Sequence, residues 1–153
     1  MNQNESQHMI EESEQRLYAL LPHRPPMLLI DKLISVSQQA SHSQVMISNQ
    51  SAFFSQGHGV PNWIGIEYMG QTAALIAGYQ LENNLVQPHL GFLLGTRKFT
   101  SNIEYFEEGL CLDIRCSEKA VVGDNLATFE CIIENNRQTL AHANISVYRK
   151  PLN

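Results

Sequence analysis

Charge is scarce in this chain. Charged residues make up 16% of its 153 positions, and 15 acids against 10 bases give a formal net charge of -5. That balance argues against general nucleic-acid binding, which needs a basic surface. Cysteine is also rare. Cys111, Cys116 and Cys131 are odd in number, lack paired-ligand spacing and sit in strand-like runs. They read as small hydrophobes in a reducing compartment, not as a disulfide framework or zinc site. Met1 to Gln15 is polar and acidic and lacks the apolar centre of a secretory leader, so the cytoplasm is the expected setting. No repeat or low-complexity linker interrupts the chain. Its length and its 43% hydrophobic content predict one globular domain over 10–153, behind a disordered lead over 1–9.

One apolar stretch organises the rest. From Pro61 to Leu81 the chain is apolar nearly all round for several turns, the pattern of a helix buried inside its domain. It is too short, and too rich in small and polar residues, for a membrane span. Glu67 and Gln71, four apart, share one face, and Ala74 and Gly78 continue that stripe. A carboxylate on such a helix must be paired, protonated or functional, because burying a bare charge is costly. Glu67 is therefore the first residue to explain, by catalysis or by pairing across an interface.

Around this helix the sequence predicts a short helix from Ile10 that is stopped by Pro22. A stiff Leu21-Pro22-His23-Arg24-Pro25-Pro26 segment follows. Met27 to Ser37 and Ser41 to Asn49 read as a strand hairpin. Phe53 to Gly59 is a loop with glycine on both sides of His58. His89 to Thr100, Leu110 to Val121, Leu126 to Glu134 and Thr139 to Tyr148 read as four long strands. Turn-forming residues at Val122-Gly123-Asp124-Asn125 and Asn135-Asn136-Arg137-Gln138 make the C-terminal half an antiparallel meander. The class is α+β, with a curved antiparallel sheet of six strands around one long central helix.

Three pieces carry a family resemblance. Leu21-Pro22-His23-Arg24-Pro25-Pro26-Met27-Leu28-Leu29-Ile30-Asp31-Lys32 is similar to the opening of the FabZ-like 3-hydroxyacyl-acyl carrier protein dehydratases. Pro61, Glu67 and Gln71 fall where that family has the proline, glutamate and glutamine of its central helix. Gly91-Phe92-Leu93-Leu94-Gly95-Thr96-Arg97-Lys98-Phe99 resembles its next strand. The Leu-Pro-His-Arg and Gly-Ile-Glu-Tyr-Met-Gly-Gln pieces look closest to dehydratase-like proteins of aryl polyene biosynthesis. The resemblance implies the hot dog fold, dimerisation into one continuous sheet, and removal of water from 3-hydroxyacyl chains carried on acyl carrier protein. It implies no cofactor and no metal.

On this scheme His58 is the base and Glu67 the acid or water-orienting group, with His23 the substitute base. Gln71 would orient Glu67 or bond across a dimer. Backbone N–H groups at the helix start, Asn62 among them, would polarise the thioester carbonyl, and Trp63 and Gly91 would line the acyl site. Arg97, Lys98 and Arg24 are the expected contacts for an acidic carrier protein. His8, His42, His89 and His142 have no local partner. The sequence departs from the family where His-Phe-Pro-Gly is expected: His58 is followed by Gly59-Val60-Pro61, Asn62 replaces a glycine, and the run to Glu67 is shorter. Two alternatives follow. One is a non-catalytic subunit of a heteromeric dehydratase, which the shortened loop favours. The other is an acyl thioesterase on the same fold. The partner is another hot dog subunit, identical or not.

Overall fold

The apolar stretch does form the central helix. In the computed structural model, which describes residues 2–123 and 125–152 (side chains of 6–11 excepted), α2 spans Gly65–Glu82. A short 3-10 turn at Asn62–Ile64 leads into it. Tyr68, Met69, Ala73, Leu75 and Ile76 are buried along it, and so are the polar Gln71, Thr72 and Gln80.

Eight strands surround it: β1 (Lys32–Val36), β2 (Ala40–Met46), β3 (Val60–Pro61), β4 (His89–Ser101), β5 (Tyr105–Phe106), β6 (Cys111–Val122), β7 (Leu126–Asn135) and β8 (Gln138–Pro151). Six of them make one antiparallel sheet in the order β1-β2-β6-β7-β8-β4. Strand periodicity explains which side chains face the helix. Leu112, Ile114 and Cys116 of β6, then Ala127, Phe129, Cys131 and Ile133 of β7, alternate inward and are at most 3% exposed. Each large apolar side chain so placed contributes about 1.5–3 kcal/mol of burial. Cys116 and Cys131 stand directly opposite each other in register, reduced, with Sγ atoms 2.9 Å apart.

Small polar residues bring helix and sheet close. Ser41 Oγ donates to the Thr72 carbonyl at 2.6 Å, and Ser43 Oγ lies 2.7 Å from Thr72 Oγ1, all of them buried. The β1–β2 hairpin is thereby pinned to the middle of α2.

The N-terminal helix starts earlier than expected. α1 spans Gln3–Leu20 because Asn2 and Glu5 form a capping box, so the lead expected to be disordered is helical from Gln3. Leu17 and Leu20, with Leu21 at its C-cap, are buried, as the spacing predicts. α1 crosses α2 at Gly78, where a Cβ would lie 2.1 Å from the Leu20 carbonyl oxygen. Only glycine fits that crossing. The expected strand from Met27 begins at Lys32 instead, since the prolines before it hold the chain in turns. Asp124, in the expected Val122–Asn125 turn, lies outside the described residues.

A small second sheet was not foreseen: β3 pairs with β5, so Val60 faces Phe106 and Pro61 faces Tyr105. Gly59, at φ +120°, allows this. Its absent Cβ would fall 2.2 Å from the Phe106 carbonyl oxygen. The close approach at Gly59 is therefore made by the chain's own backbone.

Candidate active site

Gln71 fixes the site. Its side chain is fully buried: Oε1 accepts the Leu29 N–H at 2.8 Å, and Nε2 donates to the Met27 carbonyl at 2.8 Å and to Glu67 Oε1 at 3.1 Å. One residue therefore holds the segment after the prolines against α2 and points the Glu67 carboxylate. Of the two roles expected for Gln71, these bonds supply the orienting one.

Glu67 lines a cavity of about 400 Å³ that follows α2 along Gly70, Ala73, Ala74, Ala77 and Gly78. Glu67, Ala74 and Gly78 of the stripe read from the sequence lie on its floor; Gln71 of that stripe does not line it. His23, within the stiff segment, lines the same cavity. Its Nδ1 is buried without a hydrogen-bond partner among the described residues. Burial pulls the His23 pKa below the usual imidazole value, and the nearby Glu67 charge opposes that shift. A carboxylate and an imidazole thus share one largely apolar chamber.

His58 is elsewhere. It is exposed, its ring stacks on Tyr105 with centroids 5.0 Å apart, and its backbone N–H donates to Ser55. It lines a separate cleft with Glu104, Tyr105 and Glu107, which shares no residue with the Glu67 cavity. Within one chain the structure brings His23, not His58, to Glu67. The β3–β5 pairing holds the His58 loop away from α2.

The other expected site residues divide. Gly91 lines the cavity. Asn62 does not offer its N–H: that group donates to Glu104 O at 2.9 Å, and the Asn62 side chain donates to Ile103 O at 2.7 Å. Trp63 is 58% exposed beside Phe53 and lines neither the core nor the cavity, whereas Met69 is core. Arg24 is folded back on α1, donating to Leu21, His23 and Tyr18 carbonyls and lying over the Tyr18 ring. Its charge serves the C-terminal end of that helix. Arg97 and Lys98 are exposed where β4 bulges, with Lys98 at φ +58°.

Three features had no sequence signal, because each joins residues distant in the chain. His89, expected to be unremarkable, lines the cavity, and both its ring nitrogens are buried without partners among the described residues. Arg149, buried, donates to Glu118 and to Gln80. His42, which has no local partner in the sequence, finds a distant one: its Nε2 lies 2.7 Å from Asp113 Oδ1. The side chain of His8 lies outside the described residues.

β4 ends the sheet, and it is apolar. Leu90, Phe92, Leu93 and Leu94 are 38–61% exposed along this open edge. No described helix is long and apolar enough to cross a membrane.

Comparison with known proteins places this geometry. The profile of the ApeP-like family, described as ApeP dehydratase, matches residues 15–153. A 3-hydroxyacyl-acyl-carrier-protein dehydratase FabZ of Anaeromyxobacter dehalogenans is 31% identical over 81 residues, covering 50% of this chain and 52% of that one. The chain therefore spans about half the length of the curated relatives it matches. Among solved structures, the dehydratase heterocomplex ApeI:P from Xenorhabdus doucetiae superposes with TM-score 0.78 at 30% identity, over 87% of this chain and 90% of that one. A hypothetical thioesterase from Streptococcus pneumoniae with coenzyme A gives TM-score 0.61 at 7% identity, over 93% and 97%. That last likeness is one of fold alone. The fold is the hot dog fold that the resemblance implies.

Proposed function

Since the chain belongs to the ApeP-like dehydratase family, we propose that it removes water from 3-hydroxyacyl thioesters borne on acyl carrier protein, in the cytoplasm. One observation carries this reading: Glu67, aimed by Gln71, shares an apolar cavity with His23. The acyl chain lies along the small-residue floor of α2, with its C2 and C3 between the two side chains.

His23, kept neutral near pH 7 by burial, takes the C2 proton. The electrons form the C2–C3 double bond, and the C3–O bond breaks as Glu67 gives its proton to the departing hydroxyl. Water leaves. Imidazolium and carboxylate then return the proton between them, which restores both groups. The expected roles are thus kept for Glu67 and moved from His58 to its substitute His23. His58 reaches a Glu67 only if that residue belongs to another subunit.

The partner is a second hot dog subunit continuing the sheet at the β4 edge. Exposed apolar side chains along a long strand whose outer edge is open favour such pairing. The relative from Xenorhabdus doucetiae is a heterocomplex, and the same is proposed here. Arg97 and Lys98, on that strand, receive the acidic carrier.

Turnover of a 3-hydroxyacyl carrier substrate tests the reading, for the chain alone and with a hot dog partner. Glu67→Gln and His23→Ala should each lose about a hundredfold or more, and His58→Ala should lose little. Full activity in Glu67→Gln, or loss in His58→Ala with His23→Ala intact, rejects the assignment.

A further inference from the structure

The cavity has two polar ends. Its lining side chains are apolar or absent except for four: His23 and Glu67 at one end, His89 and Arg149 at the other. The floor from Glu67 to Gly78 covers twelve positions of α2, eleven steps and about 16.5 Å of helix. If the reacting carbons lie at Glu67, the far end of the acyl chain lies at His89.

That end is chemically specific. Both ring nitrogens of His89 are buried and unpartnered among the described residues, a situation native folds avoid unless something outside the chain satisfies them. Arg149 does not satisfy them, nor does it wait for an anion. Its Nη2 donates to Glu118 and Gln80, and the Glu118 carboxylate balances its charge. Burial, and then the Arg149 charge, lower the His89 pKa, so the ring stays neutral near pH 7. A neutral imidazole has one N–H donor and one bare acceptor nitrogen. A hydroxyl both accepts and donates, so it complements either tautomer. A carboxylate would meet no free cation here, and a methyl would leave the ring unpaired.

We propose that His89 is a specificity residue, binding a hydroxyl at the far end of the acyl chain. This rests on the dehydratase reading, which sets the direction of the chain.

Two stable probes test it by calorimetry on the full-length chain. They are the dodecanoyl and ω-hydroxydodecanoyl amides of a pantetheine amine, in which nitrogen replaces the thioester sulfur and nothing turns over. The hydroxylated amide should bind about tenfold more tightly, the scale of one buried hydrogen bond. His89→Leu should erase the difference, while His89→Gln, which still donates and accepts, should keep most of it. Equal binding by wild type, no binding of either amide, or a preference that survives in His89→Leu overturns the proposal. Turnover of a 3-hydroxydodecanoyl carrier substrate, measured in parallel, separates the two claims. Turnover without preference rejects the subsite and keeps the dehydratase. Preference without turnover does the reverse.

Discussion

Replacing Gln71 by methionine should cost stability and catalysis together. The two side chains are similar in volume, so little cavity is made. What is lost is three hydrogen bonds from one fully buried side chain. The Leu29 N–H, half-buried, is left without its acceptor, at about 1–3 kcal/mol. Met27, 68% exposed, can turn its carbonyl to water, so its share is small. With about 1 kcal/mol for the bond to Glu67, the sum is about 2–4 kcal/mol, and a domain of this size loses roughly 2–4 °C in Tm per kcal/mol. Thermal denaturation followed by circular dichroism should therefore show a fall of about 5–15 °C. In the same variant kcat should drop more than KM rises, because Glu67 loses its aim and not its place. A fall in Tm below about 2 °C would refute the account of Gln71 as the clamp. Gln71→Glu sharpens the test. It keeps the acceptor for Leu29 but removes the amide donor to Met27 and Glu67, so Tm should fall less than in Gln71→Met while kcat falls as far.

Gly78→Ala should lower Tm despite the roughly 1 kcal/mol gain in helix propensity, because the new methyl meets the Leu20 carbonyl and α1 must lift away. A higher Tm would show that α1 yields freely. His23 and His89 both have pKa values lowered by burial, so the unfolded chain binds their protons more readily than the folded one. Stability should hold above the unfolded value of about 6.5 and decline as pH falls through it toward the folded values, and His89→Leu should flatten that slope. Melting curves between about pH 7.5 and pH 5 check the sign. The acid limb of kcat/KM should likewise lie below about 6.5. Reversing charge at Arg97 and Lys98 should raise KM for a carrier-borne substrate about three- to tenfold and leave a pantetheine thioester unaffected; equal effects on both would remove the carrier contact.

The fold was legible where burial repeats along the chain. Alternation in Leu126–Glu134 gave β7, and the all-round apolar stretch gave α2 within a few residues. The Glu67–Gln71 spacing also foretold their hydrogen bond, since residues four apart on a helix must meet. What depends on sheet register was hidden. Gly91 stands opposite Arg149 and so brings the buried Arg149–Glu118 pair close to His89, a placement no local pattern encodes. The same holds for His42 and Asp113, set diagonally across β2 and β6. The separation of His58 from Glu67 of its own chain was hidden for a different reason. A glycine-flanked histidine looks free to reach the helix, but two residues of β3 pair with β5 and carry the loop the other way. Asn62 and Arg24 misled similarly, because available donors in a sequence are often already bonded to the nearest carbonyls.

The facing Cys116 and Cys131 make the sheet a timepiece. Their thiols are at most 3% exposed beneath α2, whereas Cys111 is partly open to solvent. An alkylating reagent therefore reaches Cys111 in the native molecule but must wait at the other two until helix and sheet part. Burial also holds the Cys116 thiol protonated, so the wait is not shortened by a reactive thiolate. The ratio of the labelling rates compares a surface event with the opening of the core in one molecule. Repeating the measurement with a subunit seated on β4 would show how far the grip at the edge is felt at the centre.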